Sequence, residues 1–217
     1  MIVASLIDTE IPIYVPENGF IGINIPLTDS RNGSCSTRTT HPYFIDLFNE
    51  LLTELGINNS IINIYKKKSK GEILEEIKNN ELIQNFSKET ISCSHPCQIR
   101  FLGENAPQNC GYCYPCLIRR AAMYAANIQD CDYVFDLNKE LINTDKGSDF
   151  RALLLSLKKY LNYKDDKSYL NNLLLKTGKL TVNNINNYKR IYVKTMEEIY
   201  SMIKTKGSTE VINYLGK

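Results

Sequence analysis

The sequence lacks the features of membrane, secreted and nucleic-acid-binding proteins. No apolar run approaches the roughly 20 residues that a membrane span requires. The first residues lack a basic start followed by a long apolar region, and Asp8 interrupts them, so no signal peptide is predicted. The formal net charge is only +2, which gives no electrostatic reason to bind nucleic acid or an acidic partner. We therefore expect a soluble cytoplasmic protein that binds neither membranes nor nucleic acid.

The composition is otherwise that of an ordinary globular protein. Hydrophobic residues make up 43% of the 217 residues, and charged residues make up 23%. The sequence contains no internal repeat and no long low-complexity run. Its length allows one sizeable domain or two small ones.

Five of the seven cysteines lie between residues 92 and 120. Cys110, Cys113 and Cys116 follow one another at two-residue gaps, and Zn²⁺ binds four thiolates tetrahedrally. Gly111 supplies the flexible backbone of a tight metal-binding turn. A helix predicted to start at Pro115 would return Cys116 toward the metal. The spacing therefore predicts three ligands of a zinc site.

The fourth ligand must come from upstream, where Cys93 is preferred over Cys97 and His95. Other interpretations of these cysteines remain. They could be reduced, buried residues that pack like small apolar side chains, or two of them could form a thioredoxin-like redox pair. An iron–sulfur cluster is the strongest alternative, because cluster and zinc spacings overlap. Metal-spaced cysteines without a signal peptide also favour a reducing cytoplasm.

The hydrophobic pattern predicts alternating strands and helices before the cysteines. We predict an apolar helix near residues 1–9, strands at 11–15, 20–25, 60–65 and 90–92, and a helix with an apolar stripe formed by Phe44, Leu47, Phe48, Leu51 and Leu55 and ended by Gly56. Ser69 and Glu72 form a capping box for a further helix. From Ser148 onward the pattern is helical, with stripes typical of a core. This order favours an α/β sheet edge with a metal knuckle appended.

A polar segment ends at residues 38–42, just before the predicted helix. The stretch 34–42 contains five hydroxyl side chains together with Arg38 and His41. Such residues are suited to holding an anion or a polar heterocycle, although loops are often simply polar. We expect His41 at the N-cap, where free N–H groups favour anions.

Together these motifs resemble the QueC-like family, relatives of 7-cyano-7-deazaguanine synthase. The resemblance rests on the pattern Cys-Gly-x-Cys-x-x-Cys-x-x-Arg at residues 110–119, on Cys93, and on the Pro-Glu-Asn-Gly turn at 16–19. The run Ser-Thr-Arg-Thr-Thr-His-Pro at 36–42 resembles the divergent members from anti-phage operons, as does the segment 147–152. The resemblance covers nearly the whole chain.

The resemblance implies the C-terminal part of a Rossmann-like ATP pyrophosphatase fold, α/β and helix-rich. Residues 1–92 would belong to the nucleotide and substrate domain, and residues 93–217 would form the zinc knuckle and a helical C-terminal region. Family members activate a 7-deazaguanine carboxylate with ATP, for amide and nitrile formation or acyl transfer. The resemblance assigns the zinc ligands to Cys93, Cys110, Cys113 and Cys116, whereas Cys97 has no counterpart.

The resemblance further assigns substrate binding to six residues: Arg38, Thr39, Thr40, His41, Glu17 and Asn18. One family feature is missing, because these enzymes hold ATP with a Ser-Gly-Gly-x-Asp-Ser loop and Gly33-Ser34 is the nearest sequence here. We therefore expect the chain alone to be inactive and to pair with an N-terminal half or another protein, through the apolar start formed by Ile2, Val3, Leu6 and Ile7. The alternative is a non-catalytic zinc module that docks a partner subunit.

Overall fold

The computed structural model describes residues 2–8, 10–28, 38–97, 101, 103 and 106–216. These residues form eleven α-helices and two short β-strands. The elements in chain order are α1 (Ile2–Ile7), β1 (Ile13–Tyr14), α2 (Gly19–Ile23), α3 (Pro42–Glu54), β2 (Ile61–Ile62), α4 (Lys70–Ile77), α5 (Glu81–Phe86), α6 (Tyr114–Ala125), α7 (Lys139–Ile142), α8 (Ser148–Tyr163), α9 (Lys167–Leu175), α10 (Val182–Lys206) and α11 (Thr209–Tyr214). None of the helices in the described ranges is both long and apolar enough to cross a membrane. The helix-rich class is confirmed.

The chain divides into two compact units, each built from two segments. The first comprises Met1–Ser69 and Asp166–Tyr192, and the second comprises Lys70–Asp165 and Val193–Lys217. The boundary predicted at residues 92/93 lies within the sequence of the second unit. The domain organisation implied by the family resemblance stays a prediction.

The first unit contains a two-stranded parallel sheet. β1 pairs with β2 in a register that places Ile13 opposite Ile61 and Tyr14 opposite Ile62. The strands predicted at 11–15 and 60–65 are therefore present but shorter. Pro12 and Pro16 flank β1, and a proline has no N–H to continue a ladder, which limits its length.

The strand predicted at residues 20–25 is wrong, because this segment forms α2. Asn18 begins the helix by accepting a hydrogen bond from the Ile21 N–H at 3.1 Å, and Asn24 ends it with a φ of 43°. Phe20 and Ile23 are both fully buried. Their spacing of three residues suits one face of a helix, whereas the alternation of Ile21, Ile23 and Ile25 suits a strand. A short apolar run therefore did not separate the two structures.

The helix predicted before Gly56 is confirmed as α3, and Gly56 follows it with a φ of 71°. Its apolar stripe, however, is not its buried face. Pro42, Ile45 and Leu52 are the buried residues, whereas the exposed apolar residues of the stripe are Phe44, Leu47, Leu51 and Leu55. The exposed stripe is therefore an apolar surface of the first unit.

In the second unit, α6 packs against α4 and α8. The predicted helix start near Pro115 is confirmed, since α6 begins at Tyr114 with the proline in its first turn. The helical prediction from Ser148 onward is also confirmed. The predicted core stripe of α8 is buried through Phe150, Leu153, Leu154 and Leu157.

Candidate metal centre

Four cysteine sulfurs meet in the second unit. The Sγ atoms of Cys93, Cys110, Cys113 and Cys116 all lie within 4.8 Å of one another. Two pairs are separated by 3.9 Å, namely Cys110 with Cys116 and Cys113 with Cys93. Four ligands about 2.3 Å from a zinc ion in a tetrahedron stand about 3.8 Å apart, whereas disulfide sulfurs stand about 2.05 Å apart. The free thiols therefore have the spacing of zinc ligands.

Gly111 makes the turn that carries Cys110. Its φ is 86°, and a Cβ at this position would lie 2.7 Å from the carbonyl oxygen of Phe135. The Phe135 N–H donates to the carbonyl of Cys110 at 3.2 Å, so the turn is held against the segment that follows α6. A side chain would therefore disturb both the turn and its neighbour.

The start of α6 places two further cysteines. Cys113 is the N-cap residue of α6, and Cys116 lies in the first turn. The N–H of Tyr114 donates to Asp149 Oδ2 at 2.9 Å, which satisfies one of the free donors of the helix start. The positive end of the helix dipole also favours thiolates at this position.

Backbone N–H groups donate to the sulfurs. Ser94 donates to Cys113 Sγ at 3.4 Å, His95 donates to Cys93 Sγ at 3.3 Å, and Cys113 donates to Cys110 Sγ at 3.4 Å. Such donors stabilise the charged form of a thiol. The backbone is therefore already arranged around the charge that a bound cation would require.

The thiols also shift one another's pKa values. Hydrogen bonds from Cys110 and then Cys116 lower the pKa of Cys113 below its ordinary range. The hydrogen bond with Cys113 raises the pKa of Cys110 to about 12, and those with Cys110 and Cys113 raise the pKa of Cys116. Without a cation, the Cys113 thiolate is thus favoured, and hydrogen bonds from Cys110 and Cys116 stabilise its charge. Binding a cation to all four would release the remaining protons.

Asn109 ties the segment before Cys93 to the cysteine turn, and sequence reasoning missed it. Its side-chain oxygen accepts from the Ser92 N–H at 2.9 Å, and its Nδ2 donates to the Thr90 carbonyl at 3.0 Å and to Cys131 Sγ at 3.2 Å. The strand predicted at residues 90–92 is therefore wrong, because its backbone pairs with side chains. An asparagine in a polar loop gave no signal for this role.

Arg119 holds the same segment from the other side. It is 2% exposed and donates to the carbonyls of Thr90 at 2.9 Å and Ser87 at 2.6 Å, and it pairs with Asp130 at 2.8 Å. Burial alone would lower the pKa of Arg119, but the Asp130 carboxylate leaves that pKa raised. The charged Arg119 side chain thus holds the backbone of residues 87–90, which precede Cys93.

The neighbouring Arg120 has a different set of contacts. Its NH1 donates to the carbonyls of Gly111 at 3.1 Å and Phe135 at 3.0 Å, and its guanidinium lies 4.3 Å from the ring centroid of Tyr133. Burial lowers the pKa of Arg120. Both arginines of the motif therefore hold backbone around the cysteines and do not enter the cluster of sulfurs.

The two other upstream candidates, Cys97 and His95, stand outside the cluster of described cysteines, and so does Cys131. Cys97 and His95 are exposed, and the preferred upstream residue, Cys93, is the one that joins the group. Cys131 is half-buried and accepts from Asn109, as described above. The structure therefore brings together the four residues that the sequence singled out. Their binding of zinc stays a prediction.

The predicted substrate residues line two different clefts of the first unit. Arg38, Thr39 and His41 line one cleft of about 280 Å³, whereas Thr40 lines another of about 230 Å³. Residues 29–37, which include Gly33, Ser34, Ser36 and Thr37, lie outside the described residues. No contact brings the whole predicted set together in the described part of the first unit.

Glu17 and Asn18 take part in local structure instead of lining either cleft. The side-chain amide and backbone N–H of Asn18 both donate to Glu17 Oε1 at 3.0 Å, and the Asn18 side-chain oxygen caps α2. Asn18 is 5% exposed. Its polar atoms are thus committed to the turn and to the helix start, and its assignment to substrate stays a prediction.

His41 is the N-cap of α3, as predicted, and it is buried. Its Nδ1 accepts from the Tyr43 N–H at 3.3 Å, and its Nε2 lies 3.3 Å from Thr177 Oγ1. The Thr177 hydroxyl donates to Leu174, so the imidazole donates to it from Nε2. Burial, followed by the charge of Arg38, lowers the pKa of His41 to about 4. The ring is therefore neutral at pH 7.

Comparison of this chain with protein-family models, with curated proteins and with solved structures finds no match. The class that the structure defines is a helix-rich protein with a small parallel sheet and a buried four-cysteine cluster.

Proposed function

We propose that Cys93, Cys110, Cys113 and Cys116 bind one structural zinc ion. The observation that carries this proposal is the separation of 3.9 Å between paired sulfurs, which matches the edge of a zinc–thiolate tetrahedron. Four protein ligands fill the coordination sphere, so no position remains for water or substrate. The ion would therefore stabilise the fold and would not take part in chemistry.

The main competitor is an iron–sulfur cluster. Several irons between the cysteines would hold their sulfurs further apart than the edge of one ion's tetrahedron, and these sulfurs lie within 4.8 Å of one another. The spacing thus favours a single ion.

Elemental analysis of the purified chain tests the proposal. We expect about one zinc per chain, and an equal content in Cys97→Ser, whose exposed thiol lies outside the cluster. Brown protein that absorbs near ~400 nm and contains several irons per chain would overturn the assignment. Protein that stays fully folded after exhaustive chelation with no metal retained would contradict the structural role.

We further propose that the chain is the zinc-binding, C-terminal portion of a QueC-like ligase that activates a 7-deazaguanine carboxylate with ATP. The motif at residues 110–119 supports this proposal, together with the position of Cys93 among the other three sulfurs. Measurement of pyrophosphate release tests it. The chain alone is expected to release none, and addition of an N-terminal half carrying Ser-Gly-Gly-x-Asp-Ser is expected to restore release. Failure of the reconstituted pair with every deazaguanine carboxylate would contradict it.

Arg38 is the residue proposed to pair with the carboxylate of such a substrate. It lines the cleft shared with Thr39 and His41, and its Nε is buried without a partner. Arg38→Ala is expected to weaken ligand binding by roughly 1.5–3 kcal/mol in calorimetry of the reconstituted protein while the fold is kept. Lys67→Ala, an exposed cation away from this cleft, is the control. Equal affinity in wild type and Arg38→Ala would mean that residues 38–41 only cap α3 and do not bind ligand.

A second candidate function is that of a non-catalytic zinc module that docks a partner. The exposed stripe of α3 favours this candidate, since Leu47 and Leu51 are 45% and 46% exposed. Val3, Leu6 and Ile7 are exposed as well, while the side chain of Ile2 lies outside the described part. We propose the N-terminal half with the phosphate loop as the occupant. Leu47→Asp with Leu51→Asp should abolish co-sedimentation of the two halves, and undiminished co-sedimentation would contradict it.

A further inference from the structure

A second cleft of the first unit lies where β2 ends, between that strand and α3. Its volume is about 230 Å³, below the range of about 300–1,000 Å³ for drug-sized ligands. The polar residues of its lining are Thr40, Asp46, Asn49, Asn63 and Lys66. Ligands of parallel α/β sheets bind outside the carboxyl ends of the strands, and Asn63 directly follows β2. The cleft is therefore in a position suited to a small ligand.

Asn63 presents a donor that the protein does not use. Its side chain is almost completely buried, with 5% exposure, and its Oδ1 accepts from the Tyr65 N–H at 3.0 Å. That bond fixes the orientation of the amide, and the Nδ2 is buried without a hydrogen-bond partner. A buried donor left unpaired costs free energy, so it is a recognised sign of an absent acceptor.

Among the other polar residues of the cleft, one already forms hydrogen bonds within the protein and two carry charge. Asn49 donates to the Ile61 carbonyl at 2.9 Å and accepts from the Ile61 N–H at 2.8 Å, so its amide holds β2. Asp46 and Lys66 contribute one charge of each sign to the lining. The two formal charges cancel, which disfavours a strongly anionic or cationic ligand and favours a neutral one with both donors and acceptors.

We propose that this cleft binds a small neutral heterocycle in which a ring carbonyl is adjacent to N–H donors, as in an aminopyrimidinone. The carbonyl accepts from Asn63 Nδ2, and the N–H groups donate to the Asp46 carboxylate. Thr40 connects this cleft to the segment predicted to contact substrate. A 7-deazaguanine has the same ring carbonyl with adjacent N–H donors, so the inference deepens the proposed function. For that ligand only, it rests on the proposed function.

Titration of the full zinc-loaded chain with 2-aminopyrimidin-4-one tests this inference. Saturable binding is expected by calorimetry and by movement of the Asn63 side-chain amide resonances. The analogue 2-aminopyrimidine lacks both the carbonyl and the ring N–H, so it loses the acceptor for Asn63 and one donor to Asp46. It is expected to bind at least tenfold more weakly. The same probe tests the cleft whether or not the chain belongs to a deazaguanine ligase.

The matched variants separate recognition from folding. Asn63→Asp keeps the oxygen that accepts from Tyr65 and removes the donor, so we expect binding to fall at least tenfold while zinc content is kept. Burial of the new carboxylate is expected to lower the melting temperature. Asp46→Asn is expected to lower binding similarly, whereas Glu50→Gln, one turn further along α3 and outside the cleft, is expected to leave it unchanged.

Absence of saturable probe binding by the wild type, or equal binding by wild type and Asn63→Asp, would overturn the inference. If Asn63→Asp does not fold, Asp46→Asn decides the matter, because this side chain lines the cleft and is exposed, so its change does not disturb the core. This variant is expected to fold and to bind the probe more weakly. Absence of zinc from the purified chain, or failure of the reconstituted pair to release pyrophosphate, with probe binding intact, would contradict the proposed function and leave this inference standing.

Discussion

The sulfur of Cys93 lies 3.9 Å from the sulfur of Cys113, although twenty residues separate them in the chain. Local structure alone does not produce this approach. The segment before Cys93 is held by the Asn109 amide and the Arg119 guanidinium, and both attach it to the region that carries the other cysteines. A metal ion at this point would close a loop of the chain, so its binding free energy would contribute directly to folding.

The first prediction contrasts two cysteines of one loop. Cys93→Ser removes a proposed ligand, and we expect it to lower zinc content and to cost several kcal/mol of unfolding free energy. Cys97→Ser is the matched control, because Cys97 is exposed and stands outside the cluster of described cysteines. Urea unfolding with parallel metal analysis measures both. Equal stabilities for the two variants would argue against a structural ion.

The second prediction concerns the buried pair formed by Arg119 and Asp130. Arg119→Ala removes the cation of this pair, and breaking a buried ion pair costs about 3–5 kcal/mol. The Asp130 carboxylate keeps the Cys131 N–H, and the Thr90 carbonyl keeps the Asn109 amide, so the lost charge is the main cost. Because the guanidinium also holds the approach to Cys93, zinc should be released to a chelator faster. Urea unfolding and chelator kinetics measure the two effects.

Asp132→Asn is the control for this pair, because that exposed carboxylate lies two residues from Asp130. It should change neither the unfolding free energy nor the release of zinc. Arg119→Lys keeps the charge but not the fork of donors, and it should recover only part of the loss. An Arg119→Ala protein within about 1 kcal/mol of wild type would show that Arg119 contributes little.

The cysteine cluster could be predicted because three of its four residues lie close together in the sequence at the spacing of metal ligands. Cys110, Cys113 and Cys116 fall on one turn and one helix start, and tetrahedral coordination requires a fourth ligand. α3 could also be predicted, because apolar residues recur at helical spacing and Gly56 follows the last of them. The long helices after Ser148 were predicted for the same reason. Local periodicity and a simple coordination rule were sufficient in each case.

The remaining structure depends on contacts between distant residues. His41 meets Thr177, which lies 136 residues further along the chain, and no local pattern predicts that contact. The segment at 90–92 was predicted as a strand because its residues favour one, but side chains of Asn109 and Arg119 satisfy its backbone. The apolar stripe of α3 identified a helix without telling which face the fold would bury. Tertiary partners decide these outcomes.

The third prediction compares two glycines of α2. A Cβ at Gly19 would lie 2.4 Å from the Lys66 carbonyl oxygen, so Gly19→Ala should cost about 1–3 kcal/mol through overpacking. A Cβ at Gly22 would make only ordinary contact, at 3.4 Å from the Thr40 carbonyl. Gly22→Ala should therefore stabilise the helix by up to about 1 kcal/mol. Thermal and urea unfolding measure both, and a reversed order would contradict the packing around α2.

The fourth prediction is a loss of stability in mild acid caused by His41. Burial lowers the pKa of His41 from its ordinary value of 6.5 to about 4, so the unfolded chain binds a proton more readily than the folded one. The stability is therefore fully present above pH 6.5 and is lost as the pH falls from 6.5 toward 4. The loss should reach about 3 kcal/mol, at 1.36 kcal/mol for each unit of the pKa difference.

His41→Asn isolates this effect, because asparagine caps a helix well and does not titrate. Unfolding free energies of wild type and His41→Asn should be compared between pH 7 and pH 4, so that the carboxylates common to both proteins cancel. The free energy of the wild type should fall more steeply by about 3 kcal/mol over this interval. Parallel curves for wild type and His41→Asn would mean that the folded imidazole takes up a proton as readily as the unfolded one, which its contact with the Tyr43 N–H opposes.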